Sequence, residues 1–311
     1  MEMYDEMDEL DAKSASQPRV SRSSEAFARY NMEIDEAQVE RILEKAARDS
    51  ISAMNPETLK KLFSVIDLTR LKAGDNEDNI LKLVENVNAF DNNYPDMPGV
   101  ASVCTYPCYT KLVHDSLEVE KVRTCCVAGG FPNAQTFIEV KVAEVGLAIH
   151  DGADEIDVVQ NPGFILNGNY EDASLEIDEI KSVCGERTLK VILETAALST
   201  LENVKKAAII AMYSGADFIK TSTGKEVPGA DPKSFCVMCQ AVKEYYGETG
   251  RKVGVKVAGG IRQTSQVLLY WTIVKNVLGD GWLSPDYFRI GASRLANGLL
   301  SDILGSETAA F

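Results

Sequence analysis

The chain has 311 residues, 45% of them hydrophobic and 25% charged, ordinary values for a soluble globular protein of one large domain or two small ones. A net charge of −15 argues against nucleic acid or an anionic membrane surface as a general partner, so an anionic substrate would need locally placed cations. No apolar run reaches the roughly 18 residues that span a bilayer.

The first eleven residues carry six acidic side chains and no basic one, and Ser14 to Ser24 is polar. Residues 1–33 are therefore expected to form a disordered acidic tail. No apolar signal core is present, which points to the cytoplasm. Residues 34–55 predict a helical extension. Asp35 caps it, and Val39, Ile42, Leu43, Ala46 and Ala47 fall on one face. Residues 56–311 read as one repeating pattern. Asn55-Pro56 opens a helix. Short apolar runs follow at Ser64–Thr69, Val100–Cys104, Val122–Val127, Ile156–Val159, Leu189–Leu193, Phe218–Thr221, Val253–Val257 and Tyr287–Ile290. Helical stretches separate them, one with an expected capping box of Ser199 and Glu202. Eight near-continuous apolar strands alternating with helices predict a parallel sheet closed into a (β/α)8 TIM barrel, in the α/β class. An open doubly wound sheet is the competing architecture, but no G-x-G-x-x-G follows an early strand.

Seven cysteines, an odd number lying within predicted elements, read as reduced thiols. Cys236 and Cys239 form a C-x-x-C with no second pair at zinc spacing. With only His114 and His150 in the chain, no metal and no cofactor is expected.

In such a barrel the active site lies at the C-terminal ends of the strands. The polar residues in or just after the strands are Asp67, Cys104, Asp157, Lys190, Glu194, Lys220 and Lys256. A core does not use them for packing, and they are expected to converge on one mouth; a structural ion network is the alternative. Lys220 follows Phe218 and Ile219, and burial there disfavours its charged form. A neutral lysine is a nucleophilic amine that can form a Schiff base with a carbonyl. Lys256 repeats the design one strand later. The loops after the last three strands pair glycine with a cation: Thr223-Gly224-Lys225, Gly259-Gly260-Ile261-Arg262 and Gly291-Ala292-Ser293-Arg294. Loops of that kind after the seventh and eighth strands suit a phosphate.

The segments Phe218–Lys225, Gly254–Arg262 and Gly152–Val159, with Ile66–Thr69 and Tyr287–Ser293, closely resemble the deoxyribose-phosphate aldolase family over about Pro56 to Leu304. The resemblance implies a metal-free class I aldolase. It would cleave 2-deoxy-D-ribose 5-phosphate to D-glyceraldehyde 3-phosphate and acetaldehyde in deoxyribonucleoside catabolism. Its partner is then a small phosphorylated sugar, and a homo-oligomer is left open. The resemblance makes Lys220 the Schiff-base lysine, Lys256 the second lysine whose charge favours neutral Lys220, and Asp157 the acid/base group. It gives Thr223, Gly224, Lys225, Gly259, Gly260, Arg262, Gly291 and Ser293 to the phosphate, and places Asp67 and Cys104 near the substrate. Val257 stands where bacterial members have proline, Arg294 where they have a second serine, and Phe311 where some members end in a tyrosine. A Schiff-base aldolase with a longer donor, and a phosphate-binding barrel without catalysis, are the other readings.

Overall fold

The computed structural model describes residues 22–311. The first 21 residues of the expected tail lie outside the described residues. From Arg22 the chain is packed, so an expected tail reaching residue 33 runs too far. Helix α1 (Arg22–Phe27) buries Ala26 and sets Phe27 edge-on to Tyr170, with ring centroids 5.1 Å apart. The apolar Phe27 and Tyr30 in an otherwise polar stretch explain the difference: each finds an aromatic partner, and Tyr30 pairs its hydroxyl with that of Tyr213 at 2.9 Å.

Helix α2 (Glu36–Ser52) starts where Asp35 accepts the Gln38 N–H. Its apolar face buries Val39 and Ala46 and half-buries Ile42 and Leu43, while Ala47 is exposed. Helix α3 (Pro56–Ser64) has Asn55 as its cap and proline in its first turn, and drives Leu59, Leu62 and Phe63 into the core.

Eight parallel strands follow: β1 (Ile66–Thr69), β2 (Ser102–Thr105), β3 (Arg123–Ala128), β4 (Glu155–Val159), β5 (Thr188–Ile192), β6 (Phe218–Lys220), β7 (Gly254–Ala258) and β8 (Phe288–Ala292). They pair in sequence order, and β8 closes on β1, with Asp67 opposite Gly291. The helices between them are α4 (Glu77–Asn93), α5 (Thr110–Ser116), α6 (Ile138–His150), α7 (Pro162–Leu166), α8 (Tyr170–Cys184), α9 (Leu201–Tyr213), α10 (Pro232–Thr249) and α11 (Thr264–Leu278), and α12 (Leu295–Leu304) follows β8. The extension α2 packs on α10 and α11, so it belongs to the outer ring. Helix α9 is capped one residue later than expected. Thr200 accepts the Asn203 N–H at 3.2 Å, and Ser199 takes a left-handed φ of 66°.

Side chains alternate across a strand. The outward set, such as Ile156, Val158, Val191 and Ile219, packs in one continuous core beneath the helices. A fully buried side chain of this kind contributes about 1.5–3 kcal/mol. All seven cysteines are free. Cys236 and Cys239 lie in that core, where burial pushes the Cys236 thiol up to about 12 and Cys239 well up. Among the described residues, no helix is long and apolar enough to cross a membrane.

Candidate active site

The inward set is charged. Asp67 on β1, Glu155 and Asp157 on β4, Lys190 on β5, Lys220 on β6, Lys256 on β7 and Arg289 on β8 meet inside the barrel, each 5% exposed or less. Register brings them together. Asp157 lies opposite Lys190, Lys220 opposite Lys256, and Lys256 opposite Arg289.

Asp157 is the hub. Its Oδ2 accepts from Lys220 Nζ at 2.8 Å and from Lys256 Nζ at 2.7 Å, and its Oδ1 from Lys190 Nζ at 2.9 Å. Below it, Arg289 forks onto both Glu155 oxygens at 3.0 and 2.7 Å and reaches Asp67 Oδ1 at 2.6 Å. Lys256 lies 2.5 Å from Asp67 Oδ2, and Lys190 lies 2.7 Å from Glu155 Oε2. Burial alone would raise the carboxyl pKa values, but the lysines outweigh it: Asp67 and Asp157 are both held far below the usual carboxylate range.

Two of the lysines keep their protons against burial. Burial disfavours the charge of Lys190 and Lys256, but Asp157 with its neighbouring carboxylates overcomes it, and both pKa values are raised. These two strand lysines are held as cations rather than freed of their protons.

Cys104 on β2 and Cys125 on β3 stand beside Asp157. With it they form the one group among the described residues whose donor atoms, within 4.8 Å of one another, could ligate a metal. Lys190 Nζ is 3.2 Å from Cys125 Sγ and 2.9 Å from Asp157 Oδ1, so an ammonium already supplies the positive charge there.

Above this floor opens a cavity of about 820 Å³. Lys220 reaches it from below. Thr223, Gly224, Lys225, Gly259, Gly260, Arg262, Gly291 and Ser293 all line it. Asp67, Asp157, Lys256 and Cys104 do not; they lie buried beneath. Glu194 departs from the expected convergence. It follows the end of β5 in a left-handed conformation, φ 52°, and its Oε2 accepts the Thr223 N–H at 3.1 Å. It holds the β6 loop instead of joining the lysines. The Lys225 ammonium crosses the mouth to the Leu71 carbonyl and sits 5.8 Å over the Tyr106 ring. Gly259 takes φ +92° with its Cα against Gly229, where an added Cβ would meet the Gly229 Cα at 3.2 Å.

Glu155 and Arg289 were missed from the sequence, as were the mouth residues Arg70 and Lys72. Strand parity could have found the first two. Glu155 is two residues before Asp157, and Arg289 two before Gly291, so each shares the inward face.

The model of the DeoC/LacD family of aldolases matches residues 62–293. The chain is 42% identical over 258 residues to the deoxyribose-phosphate aldolase of Homo sapiens, covering 79% of each chain. It is 41% identical over 250 residues to that of Bos taurus, covering 76% of this chain and 78% of the relative. The chain belongs to the DeoC/LacD aldolase family. Among solved structures, the tetrameric deoxyribose phosphate aldolase of Aeropyrum pernix superposes with a TM-score of 0.63 at 28% identity, over 84% of this chain and 97% of that one. The family match spans every strand of the barrel and the glycine loops after β6 and β7, while α1 and α2 precede it.

Proposed function

We propose that the chain is a class I aldolase cleaving 2-deoxy-D-ribose 5-phosphate to D-glyceraldehyde 3-phosphate and acetaldehyde. One observation carries the reading: Lys220 alone of the barrel cations lines the cavity, with its Nζ 2.8 Å from the buried carboxylate of Asp157. The names of the relatives support the choice of substrate.

Lys220 Nζ attacks C1 of the open-chain sugar, and the carbinolamine loses water to give a protonated imine. A base removes the proton of the 3-hydroxyl. The C2–C3 bond breaks, C3 becomes the aldehyde of glyceraldehyde 3-phosphate, and the electron pair passes into the imine as an enamine. Protonation at C2 and hydrolysis release acetaldehyde and the free lysine. Asp157, shared by three lysines, moves these protons through water. Lys256 stays charged beneath Lys220 and disfavours a second ammonium there. At the other end of the cavity, Lys225, Gly259, Gly260, Arg262 and the Gly291–Ser293 turn hold the phosphate, with the N-terminus of α12 behind that turn. The same reading places the enzyme in the cytoplasm, where its free thiols stay reduced. It leaves association into a homo-oligomer to light scattering.

Borohydride reduction in the presence of acetaldehyde, followed by peptide mass mapping, tests the reading. An ethyl group on Lys220 is expected. A folded protein with no adduct on Lys220 overturns it.

A further inference from the structure

The cavity is larger and more cationic than its proposed substrate requires. At about 820 Å³ it has the size that holds a drug-sized ligand, whereas a five-carbon sugar monophosphate is a small one. Lys225, Arg262 and the glycine loops already answer the one phosphate of that sugar. Three further cations line the same mouth without a task in the cleavage: Arg70, Lys72 and Arg294. Among the described residues, no aspartate or glutamate side chain lines it, although the whole chain carries a net charge of −15. Cations gathered at one opening of an acidic protein draw anions to that opening.

Closure of the barrel brings the three together. β1 pairs with β8, Leu68 opposite Ala292, and Arg70 and Arg294 each follow two residues on. Arg294 directly continues the Gly291–Ser293 turn. The loop after β1 is fixed from below. The Arg70 N–H donates to the Cys104 carbonyl at 2.9 Å, and the Arg70 Nε donates to Asp75 Oδ1 at 2.9 Å. The other Asp75 oxygen accepts the Lys72 N–H at 2.6 Å. The Asp75 side chain is buried, so one carboxylate anchors both residues and offsets the charge of Arg70. That pair uses Nε and leaves out the two terminal nitrogens of the guanidinium. Lys72 and Arg294 are exposed. Lys225 crosses the mouth to the Leu71 carbonyl, between Arg70 and Lys72, so the phosphate cradle and these cations border one space. At the same rim the Asn297 amide is engaged by the Phe311 oxygen at 2.8 Å.

We propose that Arg70, Lys72 and Arg294 form a second anion subsite beside the phosphate cradle, so that the cavity takes ligands bearing two linked phosphates, such as the 5-diphosphate of 2-deoxyribose. This rests on the phosphate reading of the glycine loops above. The first phosphate lies in those loops. The second, joined through one bridging oxygen, lies toward the seam between β8 and β1, where Arg70 supplies a forked donor and Lys72 and Arg294 supply charge. The sugar carbons stay over Lys220, so the second phosphate leaves the bond cleavage unchanged.

Titration calorimetry of the full chain with inorganic phosphate and inorganic pyrophosphate tests the subsite, at about 0.15 M salt to screen general attraction. In the parent, pyrophosphate binds at least about tenfold more tightly than phosphate. In Arg70→Gln/Lys72→Gln/Arg294→Gln that preference falls below about threefold, while phosphate affinity stays within about twofold. A parent without the preference overturns the proposal, as does a preference that survives in the variant. Equal loss of affinity for both anions also overturns it, since the three cations would then serve the first phosphate. Removal of Arg70 leaves buried Asp75 without its cation. Should the triple variant fail to fold, Lys72→Gln/Arg294→Gln decides, and it must lower the preference by at least about threefold. A parent that binds neither anion removes the phosphate reading and the subsite together. Borohydride trapping reports the Schiff-base step separately: a missing ethyl adduct with the pyrophosphate preference intact removes the aldolase reading and leaves the subsite standing.

Discussion

Buried lysines stand both outside and inside the barrel, and they differ in kind. Outside the barrel, Lys141 on α6 meets Glu176 on α8 at 2.6 Å, with 0% and 9% of the side chains exposed. That is one cation with one anion. Burial raises the Glu176 pKa, and Lys141 only partly offsets the rise. Inside the barrel, Lys190, Lys220 and Lys256 share one carboxylate, and the lysines win against burial. Neither Lys141 nor Glu176 lines the cavity. A buried charge becomes available for chemistry where it opens to a cavity, as Lys220 does; a closed pair serves packing.

The sharpest break of this comparison is Lys220→Ala against Lys141→Met. The first removes the nucleophile, and cleavage of deoxyribose 5-phosphate falls at least about a thousandfold while circular dichroism stays that of the parent. The second leaves the turnover of the folded fraction within about twofold. A near-normal rate in Lys220→Ala would refute the role of that lysine.

Stability reverses the ranking. Lys141→Met strands the Glu176 carboxylate and costs about 3–5 kcal/mol, whereas Lys141→Met/Glu176→Leu recovers most of it, because a matched pair is replaced by packed apolar surface. Denaturant unfolding reads both. A single variant as stable as the parent shows the pair to be dispensable and removes the contrast.

The two regions also differed in how far the sequence exposed them. The strands were legible because their outward faces are continuous apolar runs, and a lysine or aspartate inside such a run stands out, as Lys220 does after Phe218 and Ile219. Strand ends moved by a residue or two, since pairing with neighbours sets them; Val253 stays outside β7 and Ala292 lies inside β8. Arg289 escaped notice because its partners Glu155 and Asp67 are 134 and 222 residues away, and nothing local announces such a pairing. The same holds for Lys141 and Glu176, which pair across 35 residues. The raised pKa values of Lys190 and Lys256 escape a local reading for the same reason. Burial is visible in a local pattern, but the number of carboxylates that gather around a buried group depends on closure of the barrel.

A smaller effect belongs to the mouth. Gly259→Ala forces a side chain onto a φ of +92° and against the Gly229 Cα and the Ala230 amide. The KM for the 5-phosphate sugar rises about tenfold, roughly 1.4 kcal/mol, while the ethyl adduct still forms on Lys220. Loss of that adduct would place the damage at the floor and not at the phosphate loop.

The smallest effect is one of sign. Asp67 and Asp157 have pKa values lowered from 3.8, so the stability they contribute is present above that value and is lost as pH falls through their folded-state pKa values. Glu176 runs the other way. Its pKa is raised from 4.5, so its contribution is full below 4.5 and is lost as pH rises through the higher folded-state value. Against Lys141→Met/Glu176→Leu, the parent should therefore gain relative stability as pH drops from about 6 toward 4.5, even though the barrel carboxylates later destabilise both proteins on further acidification. Thermal melts of the two proteins across that window read the difference directly. A parent that loses ground to the double variant over that range would mean that Lys141 holds Glu176 ionised after all, and the outer pair would then follow the electrostatics of the barrel.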